Sequence, residues 1–263
     1  MIGVFDSGYG GLTVLKTLLQ QLPQYDYVYL GDNARAPYGD RSQEVIYGYA
    51  EQAIQALQEQ GCKLIIFACN TTSAEALPQL IEKHGKEVPM LGVIEPLVLQ
   101  ALASGAKRLG VLATRSTVTS GRYPAVARQI NSKVRVIQVA APLLVPMIEE
   151  GVERKPWTRR IIKQYVHQLT QQNVDALLLG CTHYGLIDDI IKQYAGRQVT
   201  VLEASAPLAT ELAQLLERDQ DLAKKLTTGA SRRYYTTDDP ERFSQAAMKF
   251  LGQRIKVTKI KLT

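Results

Sequence analysis

A chain of 263 residues, 46% hydrophobic and 21% charged, carries enough apolar material for one large core or two modest ones. No apolar run approaches about 18 residues, which excludes a membrane-spanning helix; three cysteines without a C-x-x-C pair exclude a disulfide framework and point to a reduced, cytoplasmic setting. The net charge of +6 comes from dispersed basic residues, so no nucleic-acid partner is expected and the field favours small anions.

The N-terminus opens on a strand pattern at residues 2–5 with no basic segment ahead of it, so no removable leader is expected. That strand runs into "DSGYGG" and then a helical pattern. Thr13 stands where a dinucleotide-binding turn needs its third glycine, and no phosphate-loop pattern is present. What fits is a tight strand-to-helix turn that presents Asp6 and Ser7 at the sheet edge. Further strands are predicted at 27–30, 64–68, 90–93, 108–113, 134–139, 176–180 and 199–202, and helices at 42–60, 72–84, 158–172 and 206–217. The C-terminal "RIKVTKIKLT" alternates basic and apolar residues like a protected edge strand. Alternating strand and helix patterns predict an α/β fold with largely parallel sheets. Pro96 and Pro207 each follow a predicted strand and mark the lobe boundaries. Residues 1–95 with 207–263 are expected to form one lobe, and 96–206 a second, pseudo-symmetric one, each a sheet flanked by helices. The active site is expected in the cleft between them.

Two strands resemble one another, "LIIFACNTTSA" and "ALLLGCTHYGL", and each ends in a cysteine. Ligands of open α/β sheets bind beyond the carboxyl ends of the strands, where Cys69 and Cys181 fall. A helix starting there offers free N–H groups, favours anions and can lower a thiol from its free pKa of about 8.5. Asn70, Thr71 and Thr182 follow directly, with short side chains suited to a carboxylate. Cys62 reads as a packing residue. His84, His167 and His183 do not cluster with the cysteines, so no metal site is expected. Two thiols from different lobes form either a redox pair or an acid–base pair. Facing each other across a cleft, one can take a proton from a carbon while the other returns one to the opposite face, inverting the centre without a cofactor.

The stretches "GVFDSGYGGLTV", "APYGDRS", "ACNTTSA", "GVIEP" and "GCTHY", in this order, resemble glutamate racemase of the aspartate/glutamate racemase family. "GVLATRSTVTSGRY" and "LEASAPLA" extend the likeness to about residue 213. The resemblance implies cofactor-independent interconversion of L- and D-glutamate, supplying D-glutamate for peptidoglycan. It implies Cys69 and Cys181 as the catalytic pair, with Asp6 assisting the first and His183 and Glu149, in "VPMIE", the second; Glu150 is the adjacent alternative to Glu149. Implied substrate contacts are Asp6 and Ser7, Pro37, Tyr38 and Gly39 of "APYG", Asn70 and Thr71, Thr114 and Thr117, and Thr182 and His183. A carboxylate beside a thiol raises its pKa and a protonated histidine lowers it, so the two cysteines need not share a resting state. Gly185 stands where the family usually has proline, and Glu203 lengthens the acid of a "VDSA"-like motif. The chain lacks the N-terminal extension of members activated by a cell-wall precursor, so that regulation is not expected. A homodimer binding only a small-molecule substrate is the expected assembly. Racemisation of aspartate, a non-catalytic two-lobed binding protein and a thiol-redox protein are the alternatives.

Overall fold

The computed structural model of the protein describes residues 1–263 and contains ten strands in two sheets. The strands are β1 (Ile2–Asp6), β2 (Tyr27–Gly31), β3 (Leu64–Phe67), β4 (Met90–Gly92), β5 (Arg108–Ala113), β6 (Arg135–Ala140), β7 (Ala176–Gly180), β8 (Thr200–Leu202), β9 (Arg232–Thr236) and β10 (Val257–Lys259). The helices of the first half are α1 (Leu12–Gln21), α2 (Gln43–Glu59), α3 (Asn70–Glu75), α4 (Leu77–His84), α5 (Ile94–Ala103), α6 (Arg115–Thr119) and α7 (Arg122–Ile130). Those of the second half are α8 (Leu144–Glu149), α9 (Pro156–Thr170), α10 (Asp188–Ala195), α11 (Ser205–Arg218), α12 (Gln220–Lys225) and α13 (Pro240–Phe250).

One sheet has the order β10-β9-β2-β1-β3-β4 and the other β6-β5-β7-β8, and all pairings are parallel. The run β2-β1-β3-β4 and the whole second sheet therefore have one topology, shifted by four strands. The resemblance between the two cysteine strands is part of that repeat: β3 and β7 are equivalent, and both are buried along their whole length. Phe5 pairs with Phe67, and Ser7 and Cys69 stand two residues past that pair. Ala113 pairs with Gly180, and Thr114 and Cys181 stand one residue past that pair. Both cysteines thus leave their sheets at the carboxyl edge, the first as the residue capping α3, the second ahead of a 3₁₀ turn at Thr182–Ile187.

The lobes share a core. One apolar cluster runs from Ile2 and Val4 of β1 to Leu109 and Val111 of β5, through helices that lie between the sheets. There α5, which follows β4, packs on α7, and α11, which follows β8, packs on α1 and α5. Separate clusters fill the outer faces, beneath α2 and α4 on one side and beneath α9 and α10 on the other. No helix is long and apolar enough to cross a membrane.

Helices such as α5, α7, α10 and α13 are additional to those expected, and two other elements differ from the sequence expectation. The helix expected over 72–84 is two helices, α3 and α4, broken at Ala76. Pro78 sits in the first turn of α4; it lacks an N–H, and its ring disfavours a helical residue before it, so one helix cannot run through. Strand β9, "RRYYT", is additional to the expected strands: it pairs with β2, but its two arginines hide the apolar signal of a buried strand. Beyond it, β10 forms the sheet's outer edge with Lys256, Lys259 and Lys261 exposed, the arrangement that blunts edge-to-edge pairing.

Candidate active site

A cleft of about 340 Å³ opens at the carboxyl edges of both sheets, and Cys69 and Cys181 both line it. Around Cys69 the polypeptide is built from the glycine turn after β1. Asp6 ends that strand almost wholly buried, and its Oδ1 accepts a hydrogen bond from the Gly8 N–H at 2.9 Å. Its Oδ2 has no partner. Burial pushes the Asp6 carboxyl up, against the opposing charge of His183. Gly11 must be glycine for this carboxylate to fit, since a Cβ there would lie 2.5 Å from the Asp6 Cβ. Ser7 Oγ stands 3.4 Å from Cys69 Sγ. Burial first, and the Asp6 carboxylate second, push the Cys69 thiol up, while the Ser7 hydrogen bond pulls it down.

The floor of the cleft is polar and crosses between the lobes. Asn70 Oδ1 accepts a 2.7 Å hydrogen bond from the Tyr123 hydroxyl of α7. Thr71, Thr114 and Thr117 form a triangle of hydroxyls with sides of 2.9, 2.9 and 3.3 Å. One corner comes from α3; the others come from the cap and first turn of α6. The "APYG" loop approaches the same helix: the Ser116 N–H donates to Gly39 O at 2.9 Å, and a Cβ on Gly39 would meet Thr114 Cβ at 2.9 Å. Tyr38 is anchored beneath the loop, its hydroxyl donating to the buried Asp32 carboxylate, which also holds Arg35 Nε at 2.6 Å.

Around Cys181 the assisting groups form a chain. Cys181 Sγ lies 3.9 Å from His183 Nδ1, and His183 Nε2 lies 3.0 Å from Glu149 Oε1 at the end of α8. Burial alone would pull His183 down, but its hydrogen bonds to Cys181 and Glu149 outweigh burial and push it up to about 10. The imidazole is therefore a cation at neutral pH, donating to the carboxylate on one side and facing sulfur on the other. Glu149, not Glu150, carries this bond.

Of the residues singled out in the sequence, Ser7, Pro37, Tyr38, Gly39, Asn70 and Thr71 line the cleft beside Cys69, and Thr114, Glu149, Thr182 and His183 beside Cys181. Asp6 and Thr117 stand behind the wall, each touching residues that form it. Gly185 has open space around it, and the Glu203 carboxylate accepts the Ser205 N–H at 2.9 Å at the start of α11. Tyr9, inside "GVFDSGYGGLTV" but not singled out there, also lines the cleft, as do Asn33, Asp238 and Arg242, which no motif marks in the sequence. Arg115, which pairs with Asp40 at 2.7 Å at the mouth, lies inside "GVLATRSTVTSGRY", where nothing distinguishes it from a surface arginine. No three His, Cys, Asp or Glu side chains cluster so as to hold a metal ion.

Comparison with known proteins places this geometry. The profile of the Asp/Glu/Hydantoin racemase family matches residues 2–212. A glutamate racemase of Desulforudis audaxviator is 37% identical over 258 residues, covering 96% of this chain and 94% of that protein. The crystal structure of glutamate racemase isoform RacE1 from Bacillus anthracis superposes with a TM-score of 0.93 at 32% identity, covering 100% of this chain and 97% of that one. Glutamate racemase from Francisella tularensis in complex with D-glutamate gives 0.90 at 35% identity, covering 99% and 97%. The chain belongs to the Asp/Glu/Hydantoin racemase family.

Proposed function

We propose that the protein interconverts L- and D-glutamate by taking the α-hydrogen with one cysteine and returning a proton from the other. The observation that carries this reading is the placement of Cys69 and Cys181 at equivalent strand ends of two repeated sheets, in the wall of one cleft. Glutamate is favoured as substrate because near-full-length relatives at this identity are glutamate racemases.

The Cα–H of an amino acid is a weak acid because the carbanion forms beside a carboxylate. Hydrogen-bond donors fixed at the α-carboxylate stabilise the charge as it develops, each typically contributing about 2.7–4 kcal/mol where such donors have been removed from enzymes. Asn70, Thr71, Thr182 and the α3 N-terminus supply such donors. A thiolate on one side takes the α-hydrogen and becomes a thiol; the C–H electron pair moves toward the carboxylate. The opposite thiol then gives its proton to the other face of the carbon and becomes a thiolate. One enantiomer has become the other and the cysteines have exchanged states. Asp6 and His183 hold or pass protons behind their respective sulfurs. We take the lobes to divide near residues 95/96 and 206/207: the strands on either side belong to different sheets, and both points fall in the first turn of a connecting helix, α5 and α11. The product D-glutamate serves peptidoglycan synthesis, and two free thiols in an open cleft suit the reduced cytoplasm.

Incubation in D₂O tests this directly. L-glutamate should lose its circular dichroism while deuterium appears at Cα. Optically stable, unexchanged glutamate would overturn the reading, and exchange of aspartate alone would move it to that substrate.

A further inference from the structure

The His183–Glu149 pair belongs to the second lobe, yet a helix of the first lobe holds it. α13 packs on β9 and β10 of the first sheet and on α1. At its C-terminal end two consecutive side chains reach across. Lys249 Nζ donates to the carbonyl of Ile148, the residue before Glu149, and pairs with Glu153 at 3.1 Å. The Glu153 side chain is only 12% exposed, so this pair is shielded from water on the acid's side. Phe250, buried, sets its ring edge-on to His183, with centroids 5.2 Å apart and planes at 81°.

We propose that Lys249 is a positioning residue for the Cys181 half of the reaction, acting through α8 on Glu149 and through Glu149 on His183. α8 has six residues, too few for its own hydrogen bonds to fix its last turn. Glu149 is its final residue and its side chain is 37% exposed, so the ion pair with His183 depends on where that turn places the carboxylate. The His183 contact with sulfur is already long at 3.9 Å, and a small withdrawal breaks it. Phe250 limits the imidazole from its other side. Lys249 itself touches only Ile148 and Glu153 of the second lobe, while α13 meets the turn after β1 through Tyr9, so the direct effect of losing Lys249 is confined to the Cys181 side.

That confinement makes the proposal testable, and it rests on the racemase reading. L- and D-glutamate have equal free energy, so any variant must lose kcat/KM by the same factor in both directions. Isotope effects are not so constrained. In Lys249→Met, kcat/KM should fall roughly 10- to 100-fold, as for a misplaced catalytic group. With α-deuterated glutamate, the isotope effect should rise for the enantiomer whose hydrogen Cys181 removes, because that step now limits. It should shrink toward its equilibrium value for the mirror image, whose hydrogen Cys69 removes before the impaired return step. Glu153→Gln breaks the same pair at constant volume and gives the same reading should Lys249→Met lose its cooperative thermal transition. Isotope effects that stay at wild-type values, or move alike for both enantiomers, overturn the proposal. Wild-type protein that does not racemise glutamate overturns the functional reading and this one with it.

Discussion

The glycine turn after β1 makes a quantitative test, because one of its glycines touches the opposite lobe. A Cβ on Gly10 would lie 2.6 Å from His183 Nδ1 and 2.8 Å from its Cε1, and would also collide with Thr182 Oγ1. Ordinary contact begins near 3.4 Å, so the imidazole has to withdraw by about 0.8 Å. It is stopped on the far side by Glu149 at 3.0 Å and by the edge-on ring of Phe250. Gly10 does not adopt a positive φ, so alanine there brings no backbone strain and the penalty is steric alone. Misplacing a catalytic group by about 1 Å costs about 100-fold in rate, or about 2.7 kcal/mol in the barrier. Overpacking adds about 1–3 kcal/mol of destabilisation. Gly10→Ala should therefore cut kcat/KM about 100-fold for both enantiomers, followed by circular dichroism, while a thermal melt still shows a cooperative fold. Gly48→Ala in α2 is the control: its Cβ would meet nothing within 4 Å, it lies away from the cleft, and its activity should stay within about twofold of wild type. Gly10→Ala at near wild-type kcat/KM would refute the argument that this turn sets the position of His183.

Cys69→Ala and Cys181→Ala should each abolish racemisation of glutamate in a polarimetric assay, and substantial activity in either would contradict the two-base scheme. Cys62 is buried behind β1, and burial pushes its thiol up to about 12. Cys62→Ala should leave kcat/KM unchanged and lower the unfolding free energy by about 1–2 kcal/mol, read by urea denaturation. A methyl group on Gly185 would meet nothing within 4 Å, and its φ is not positive, so Gly185→Ala should stabilise by about 0.4–1 kcal/mol through the unfolded chain without touching activity. His183 titrates near 6.5 when unfolded and about 10 when folded, so its stabilising contribution is fully present below pH 6.5 and is lost as pH rises through 10. The stability difference between wild type and His183→Gln should shrink over that range in a series of denaturant titrations.

The alternation of strand and helix is readable because buried parallel strands such as "LIIF" and "ALLLG" are continuous apolar runs. The same property makes the repeat visible, since a strand-end cysteine after such a run is an unusual pairing. Asp6 is legible as a carboxylate at a strand end. Its depth and its unpartnered oxygen are not, because they depend on how closely Gly11 lets α1 approach. The threonine triangle is suggested only by resemblance: Thr71 is 43 residues from Thr114, and nothing local brings their hydroxyls together. Least legible is α13. No helix is expected at 240–250, and Lys249 reads as one more surface lysine until the topology carries it to α8.

The repeat is symmetric in strand order but not in chemistry, and the reaction needs no more than that. With an equilibrium constant of one, equal kcat/KM in both directions is guaranteed however different the two sulfurs are. What the scheme does require is one thiol and one thiolate at the start of each turnover. Burial and Asp6 favour the protonated form of Cys69. On the other side the cationic His183 stands 3.9 Å from Cys181, where a negative sulfur needs a counter-charge. Whichever sulfur starts ionised, the scheme has the opposite turnover begin from the exchanged state that the first leaves behind. Return between these states without substrate takes a proton from one sulfur and gives one to the other, through the solvent of the cleft or through the groups behind the sulfurs. Asp6 and His183 are the groups placed to respond, because the charge of His183 reaches Asp6 while Gly10 packs on His183 and Gly11 on Asp6 without side chains.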